Sequence, residues 1–135
     1  MADPEKVTIK AIDWTPVILA MLYRPELSPL GGLASAEQAF NGCHLYSYQN
    51  GDQGAYIAAK PVALAGGVRL DVHSVKSTGK KMDGKKFADA VDLIAALHGA
   101  VCIALMTKIP QIAEKCIDNG FAINGAVLIR FVKHD

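Results

Sequence analysis

The order of hydrophobic periodicities between residues 68 and 121 constrains this chain most. Residues 68–75 alternate as a polar-faced strand, KSTGKKMDGKK follows as a lysine- and glycine-rich loop, and Phe87, Val91, Ile94 and Ala95 recur at helical spacing before Gly99. The run VCIALM is a second strand, apolar on both faces and expected to be buried. Residues 109–119 form a second helix with Pro110 in its first turn, and the segment closes on Gly120-Phe121. Strand, helix and strand in that order predict a parallel pair joined by a helical crossover. They also put a cationic loop between a strand end and a helix start, where exposed backbone amides hold phosphate groups.

The first half of the chain is read from its punctuation. Residues 7–12 alternate as a strand. Thr15 is an N-cap with Pro16 at the first helical position, and the helix over 17–23 stops before Pro25. Ser35 and Gln38 form a capping box for a short helix through Phe40, ended by Asn41-Gly42. Residues 43–48 and 55–59 form an antiparallel hairpin about Asn50-Gly51-Asp52, and the strand at 68 pairs with them across Ala65-Gly66-Gly67. A closing hairpin about Asn124-Gly125 is expected over 121–132. The whole predicts a single α/β domain over 1–135, one mixed sheet with helices on both faces.

Charge is local in this chain. Five lysines and one aspartate between Lys76 and Lys86 give that segment +4, and because the whole chain carries +1, the remainder carries −3. Half the residues are apolar and a fifth charged, which excludes a disordered chain. Cys43, Cys102 and Cys116 are odd in number, lack metal-ligand spacing and read as reduced, buried thiols. The opening MADPEKVTIK does not read as a signal peptide and VILAMLY is too short to span a bilayer, so the expectation is a cytoplasmic protein with no membrane partner and no metal.

Two groups of side chains are candidates for chemistry. Gly79, Gly84, Lys80, Lys81, Lys85 and Lys86 offer the charge and the helix N-terminal amides that a pyrophosphate needs; the alternative is a solvated, mobile loop, with nucleic acid a weaker third reading. On the strand at 68–75, Arg69, Asp71 and His73 share one face. His73 or Asp71 is then a general base in an acceptor groove, or Arg69 and Asp71 form a structural ion pair. His44, His98 and Cys116 read as structural, and Trp14, Tyr23 and Phe40 as core.

This pattern resembles the GNAT superfamily of N-acetyltransferases. The likeness covers nearly the whole chain in element order and residues 68–121 in residue pattern. In that family the fourth strand leads into a pyrophosphate loop, Arg/Gln-x-x-Gly-x-Gly/Ala. It matches Lys81-Met82-Asp83-Gly84-Lys85-Lys86, with Lys76-Ser77-Thr78-Gly79-Lys80-Lys81 a poorer match. The late helix-to-Gly-Phe signature matches Cys116-Ile117-Asp118-Asn119-Gly120-Phe121. The resemblance implies the acyl-CoA N-acyltransferase fold, with acetyl-CoA as cosubstrate held by Val75, Lys80, Lys81, Gly84, Lys85 and Lys86. It implies acetyl transfer to a primary amine with His73 and Asp71 as catalytic residues. The implied partners are a CoA thioester and an amine acceptor, with a homodimer left open and specificity lying in loops such as 24–33. Two positions depart from the family: Lys86 stands where the loop has a small residue, and Cys116 where a tyrosine often protonates the leaving thiolate. The alternative is a catalytically inactive GNAT-like protein that binds CoA or a protein partner, a kind that also resembles small proteins of tailed-phage genomes.

Overall fold

In the computed structural model, which describes residues 7–27, 32–123, 130 and 132, β1 (Val7–Ile12) is followed by α1 (Pro16–Leu22), α2 (Ala36–Ala39), β2 (His44–Asn50), β3 (Gln53–Leu64) and β4 (Gly67–Ser77). Then come α3 (Gly84–Leu97), β5 (Ala100–Leu105) and α4 (Pro110–Asp118), and a 3-10 turn at Pro25–Leu27 follows α1. The expected caps are formed. Thr15 Oγ1 accepts from the Ile18 amide, Ser35 and Gln38 close a reciprocal capping box, and Asp83 caps α3.

The described strands make one sheet in the order β1-β2-β3-β4-β5, antiparallel throughout except for the parallel pair β4 and β5. Strand alternation divides the interior in two. Ala55, Ile57 and Ala59 of β3 face α3 and pack with Tyr46, Tyr48, Leu70, Val72, Ala90, Val91 and Ile94. Ala58 and Tyr56 face the other way, onto Leu22, Phe40, Leu45 and Trp14 around α1 and α2. The parallel crossover through α3 and the helices on both faces are as the periodicities predict.

One irregularity positions the site. Ala58 pairs with Ser74 while Ala59 pairs with Val72, so His73 is an extra residue in β4, a β-bulge. The bulge resets the alternation: Leu70 and Val72 face α3 before it, and Val75 rather than Ser74 packs there after it. His73 and Ser74 both reach toward the α1–α2 face, where they bond Ala39 and Leu22 respectively.

Two expectations are corrected. The strand VCIALM is not buried on both faces, since β5 is the end strand of the described sheet and Val101 is 72% exposed. Apolarity allowed burial without requiring it. For the same reason Cys102 is an exposed thiol. The expected hairpin turn at Asn124-Gly125 lies outside the described residues. Among the described residues no helix is long and apolar enough to cross a membrane.

Candidate ligand site at the open end of the fourth strand

The parallel pairing of β4 with β5 ends at Val72 and Leu105, one residue before the bulge, while β4 continues to Ser77. Residues 73–77 of β4 therefore have a β3 neighbour on one side and no described strand on the other. The Thr78 amide donates to the Gly54 carbonyl at 2.9 Å. Hydrogen-bonded and non-bonded pairs alternate in an antiparallel ladder, so Ser77 opposite Ala55 and Val75 opposite Ile57 are non-bonded pairs. Both residues turn their N–H and C=O away from β3, toward the open side. Arg24, just beyond α1, reaches this edge, and its Nη2 donates to the Val75 carbonyl at 2.6 Å.

The lysine loop leads from this edge into α3. It is fixed in place rather than freely solvated: Lys80 N–H donates to the Asp52 carbonyl at 3.1 Å, Met82 N–H to Ser77 Oγ at 3.4 Å, and Asp83 N–H to Gln53 Oε1 at 3.2 Å. Asp83 Oδ1 accepts from the Lys86 amide at 2.8 Å, so an internal carboxylate occupies one of the α3 amides expected to serve a phosphate. The side chains of Lys80, Lys81 and Lys85 are exposed, whereas Lys86 is half-buried. Lys80 Nζ lies 3.8 Å from Asp52 Oδ2, Lys85 Nζ lies 3.3 Å from Asp89 Oδ2, and Lys81 is exposed. Gly84 opens α3 at a close contact, since a Cβ there would meet Asn119 Nδ2 at 2.6 Å. A side chain there would have to push the Asn119 amide aside, so packing against the end of α4 favours glycine whatever the loop binds. Of the two loop matches, residues 81–86 lead into the first turn of α3, whereas residues 76–81 finish β4 and bond the 52–54 turn.

On the α1–α2 face, Asp71 is held on both oxygens by Arg69, Nε to Oδ1 at 2.6 Å and Nη2 to Oδ2 at 2.9 Å. This fork raises the Arg69 guanidinium further above its ordinary value and leaves Asp71 in the ion-pair reading. His73 differs. Its Nδ1 lies 3.0 Å from the Ala39 carbonyl, which can only accept, so Nδ1 carries the proton and the neutral ring has its lone pair on Nε2. Cys43, across the same face, is pushed up to about 11, chiefly by burial and against the pull of Lys60. Burial likewise raises the Cys116 thiol.

Sequence reading did not connect three further groups. Tyr46 hydroxyl bonds His98 Nε2, and the His44 and His98 rings stand 5.2 Å apart at the C-terminal end of α3. Burial raises the Tyr46 phenol, and burial with the nearby His44 lowers His98. Arg24 and Gln53 were also missed, because each acts on a segment remote in sequence. Among the described residues no group of three or more His, Cys, Asp or Glu side chains is arranged to hold a metal. An open groove of about 580 Å³ between β1, β2 and α3 shares none of its lining residues with the expected site.

No family model matches the sequence, and no curated protein matches it. Among solved structures, the chain is similar to the crystal structure of a point mutant of TTHA1254 from Thermus thermophilus. The two share 17% identity at a TM-score of 0.51, with 93% of this chain and 98% of that chain covered. At that identity the likeness is one of fold.

Proposed function

We propose that this chain has the acyl-CoA N-acyltransferase architecture, binds acetyl-CoA along the open edge of β4 and transfers the acetyl group directly to a primary amine. One observation carries the reading: β4 outruns β5 at the bulge, and the Val75 amide with the Ser77 amide and carbonyl face the side away from β3, at the head of a cationic loop that opens a helix, while Arg24 holds the Val75 carbonyl. A ligand with amide groups can lie on such an edge as an added strand does. Its phosphates then meet Lys80, Lys81, Lys85 and Lys86 beside Gly84. Asp83 opposes this and sets a limit on affinity.

In the reaction, the outward amide of Val75 stabilises negative charge on the thioester oxygen. The amine lone pair attacks the carbonyl carbon; the C–N bond forms, the C–S bond breaks and CoA leaves as the thiolate. The ammonium gives one proton to His73 Nε2 before the attack, and the second N–H proton, shed as the C–N bond forms, passes through water to the departing thiolate, which ends as the CoA thiol. Asp71, with both oxygens held by Arg69, stands as the structural half of that ion pair.

A second reading, CoA binding without turnover, is favoured by two observations. Both Asp71 oxygens are taken by Arg69, and Cys116, where the family often has its tyrosine acid, is buried with a raised thiol pKa. Calorimetric titration with acetyl-CoA, CoA and ATP tests cofactor binding: CoA species should bind and ATP should not, and equal binding of all three would reduce the loop to a generic anion site. Acetylation of an amine panel then separates the two readings. Slow turnover abolished by His73→Ala supports transfer, and none at saturating acetyl-CoA supports the binder.

A further inference from the structure

Arg24 is half-buried and incompletely bonded. Its Nη2 is spent on the Val75 carbonyl, while its Nε–H is buried with no hydrogen-bond partner among the described residues. None of the ion pairs among the described residues involves it. A buried donor on a cation without a partner is costly, and native structures rarely keep one without a use for it. The backbone behind it is anchored, because Ser74 Oγ donates to the Leu22 carbonyl at 2.8 Å and Tyr23 hydroxyl donates to the Ala34 carbonyl at 2.5 Å. Its reach onto the edge of β4 is thereby set.

The same molecule contains the completed version of this arrangement. Arg69 uses Nε and Nη2 together to grip both oxygens of Asp71. In Arg24 that fork holds one carbonyl oxygen on Nη2 and nothing on Nε. A planar carboxylate fills both prongs and brings the missing counter-charge.

We propose that Arg24 binds the carboxylate of a small ligand at the open edge of β4, releasing the Val75 carbonyl as it does so. Resting on the acetyltransfer reading, this makes the acceptor an amine that carries a carboxylate, an amino acid rather than a simple amine. Arg24 reaches the edge at Val75, beside Ser74, which is tied to the end of α1 through the Leu22 carbonyl. The phosphates of the cofactor have their own cations beyond the strand, at residues 80–86. A phosphate source for the oxyanion is therefore the competing outcome.

The test is calorimetric titration of the full chain, with and without CoA, using matched pairs: L-leucine against isopentylamine and L-phenylalanine against phenethylamine. The wild type should prefer the amino acid of each pair by about tenfold or more, the scale of a charge-assisted bond. Arg24→Gln should erase the preference while CoA still binds. Should the glutamine variant not fold, Arg24→Lys decides, since lysine keeps the charge but has no fork and should also lose the preference. The proposal is overturned by equal affinities in the wild type or by a preference that survives either variant. It is also overturned if substitution weakens CoA alone, which would make Arg24 a phosphate ligand. If CoA fails to bind while the carboxylate preference stands, the cofactor reading falls and the Arg24 site remains.

Discussion

Asp71 is either half of a structural ion pair or a general base, and a double-mutant cycle with Arg69 separates the two. The pair is bidentate at 2.6 and 2.9 Å, which favours a strong interaction, but the Arg69 and Asp71 side chains are 39% and 24% exposed. Partly exposed pairs with good geometry lie at the upper end of the surface range, so the coupling between Arg69→Ala and Asp71→Ala should be small but measurable. The assay is urea unfolding of the wild type, both single variants and the double variant, with acetyl transfer measured in parallel for Asp71→Asn. An ion pair predicts measurable coupling and turnover of the same order as the wild type. A loss on the order of 10²- to 10⁴-fold in turnover with no coupling would show that Asp71 acts as the base and refute the pairing argument.

Three further outcomes follow from the site. Lys81→Ala with Lys85→Ala should weaken CoA by about tenfold or more in calorimetry, and an unchanged affinity would remove the loop from the cofactor site. Asp83→Asn keeps a capping side chain at α3 while removing the charge that occupies the Lys86 amide, so CoA should bind several-fold tighter (about 1 kcal/mol) at little cost in Tm; weaker binding would contradict the opposed-anion account. His98 has a lowered pKa in the fold, so the unfolded chain takes up its proton first as pH falls below about 6.5. Urea-derived stability should therefore decline as pH falls below about 6.5 and level, with respect to this group, once the folded-state His98 is itself protonated, and His98→Gln should flatten the decline. An identical slope in that variant would assign the effect to other groups.

Local signals carried much of the fold. Thr15-Pro16, the Ser35 and Gln38 box, Asp83 and Gly99 each mark a boundary through chemistry confined to a few neighbours, and these marks fall where the elements begin and end. The bulge at His73 was not legible, because nothing in RLDVHSV distinguishes an extra residue from simple alternation; only the pairing with Ala58 and Ala59 reveals it. Arg24 escaped notice for a related reason, since its partner lies 51 residues away on a strand edge left open by the end of another strand. Burial of β5 was overread from composition, and the ion pair of Arg69 with Asp71 was legible as one of two readings that spacing alone did not separate. The loop lysines were plain in the sequence, but not the way their backbone is bonded to Asp52, Gln53 and Ser77.

The central claim is that a CoA thioester lies along residues 73–77 of β4, and amide-resolved NMR of the labelled protein during titration with CoA tests it most directly. The account predicts that the amides of Val75 and Ser77, which face the open edge, shift and gain protection from hydrogen exchange together with Gly84 and Lys85 at the start of α3, while β1 and β2 stay unchanged. Saturable CoA binding that leaves Val75 and Ser77 untouched and perturbs the groove between β1 and α3 instead would contradict it.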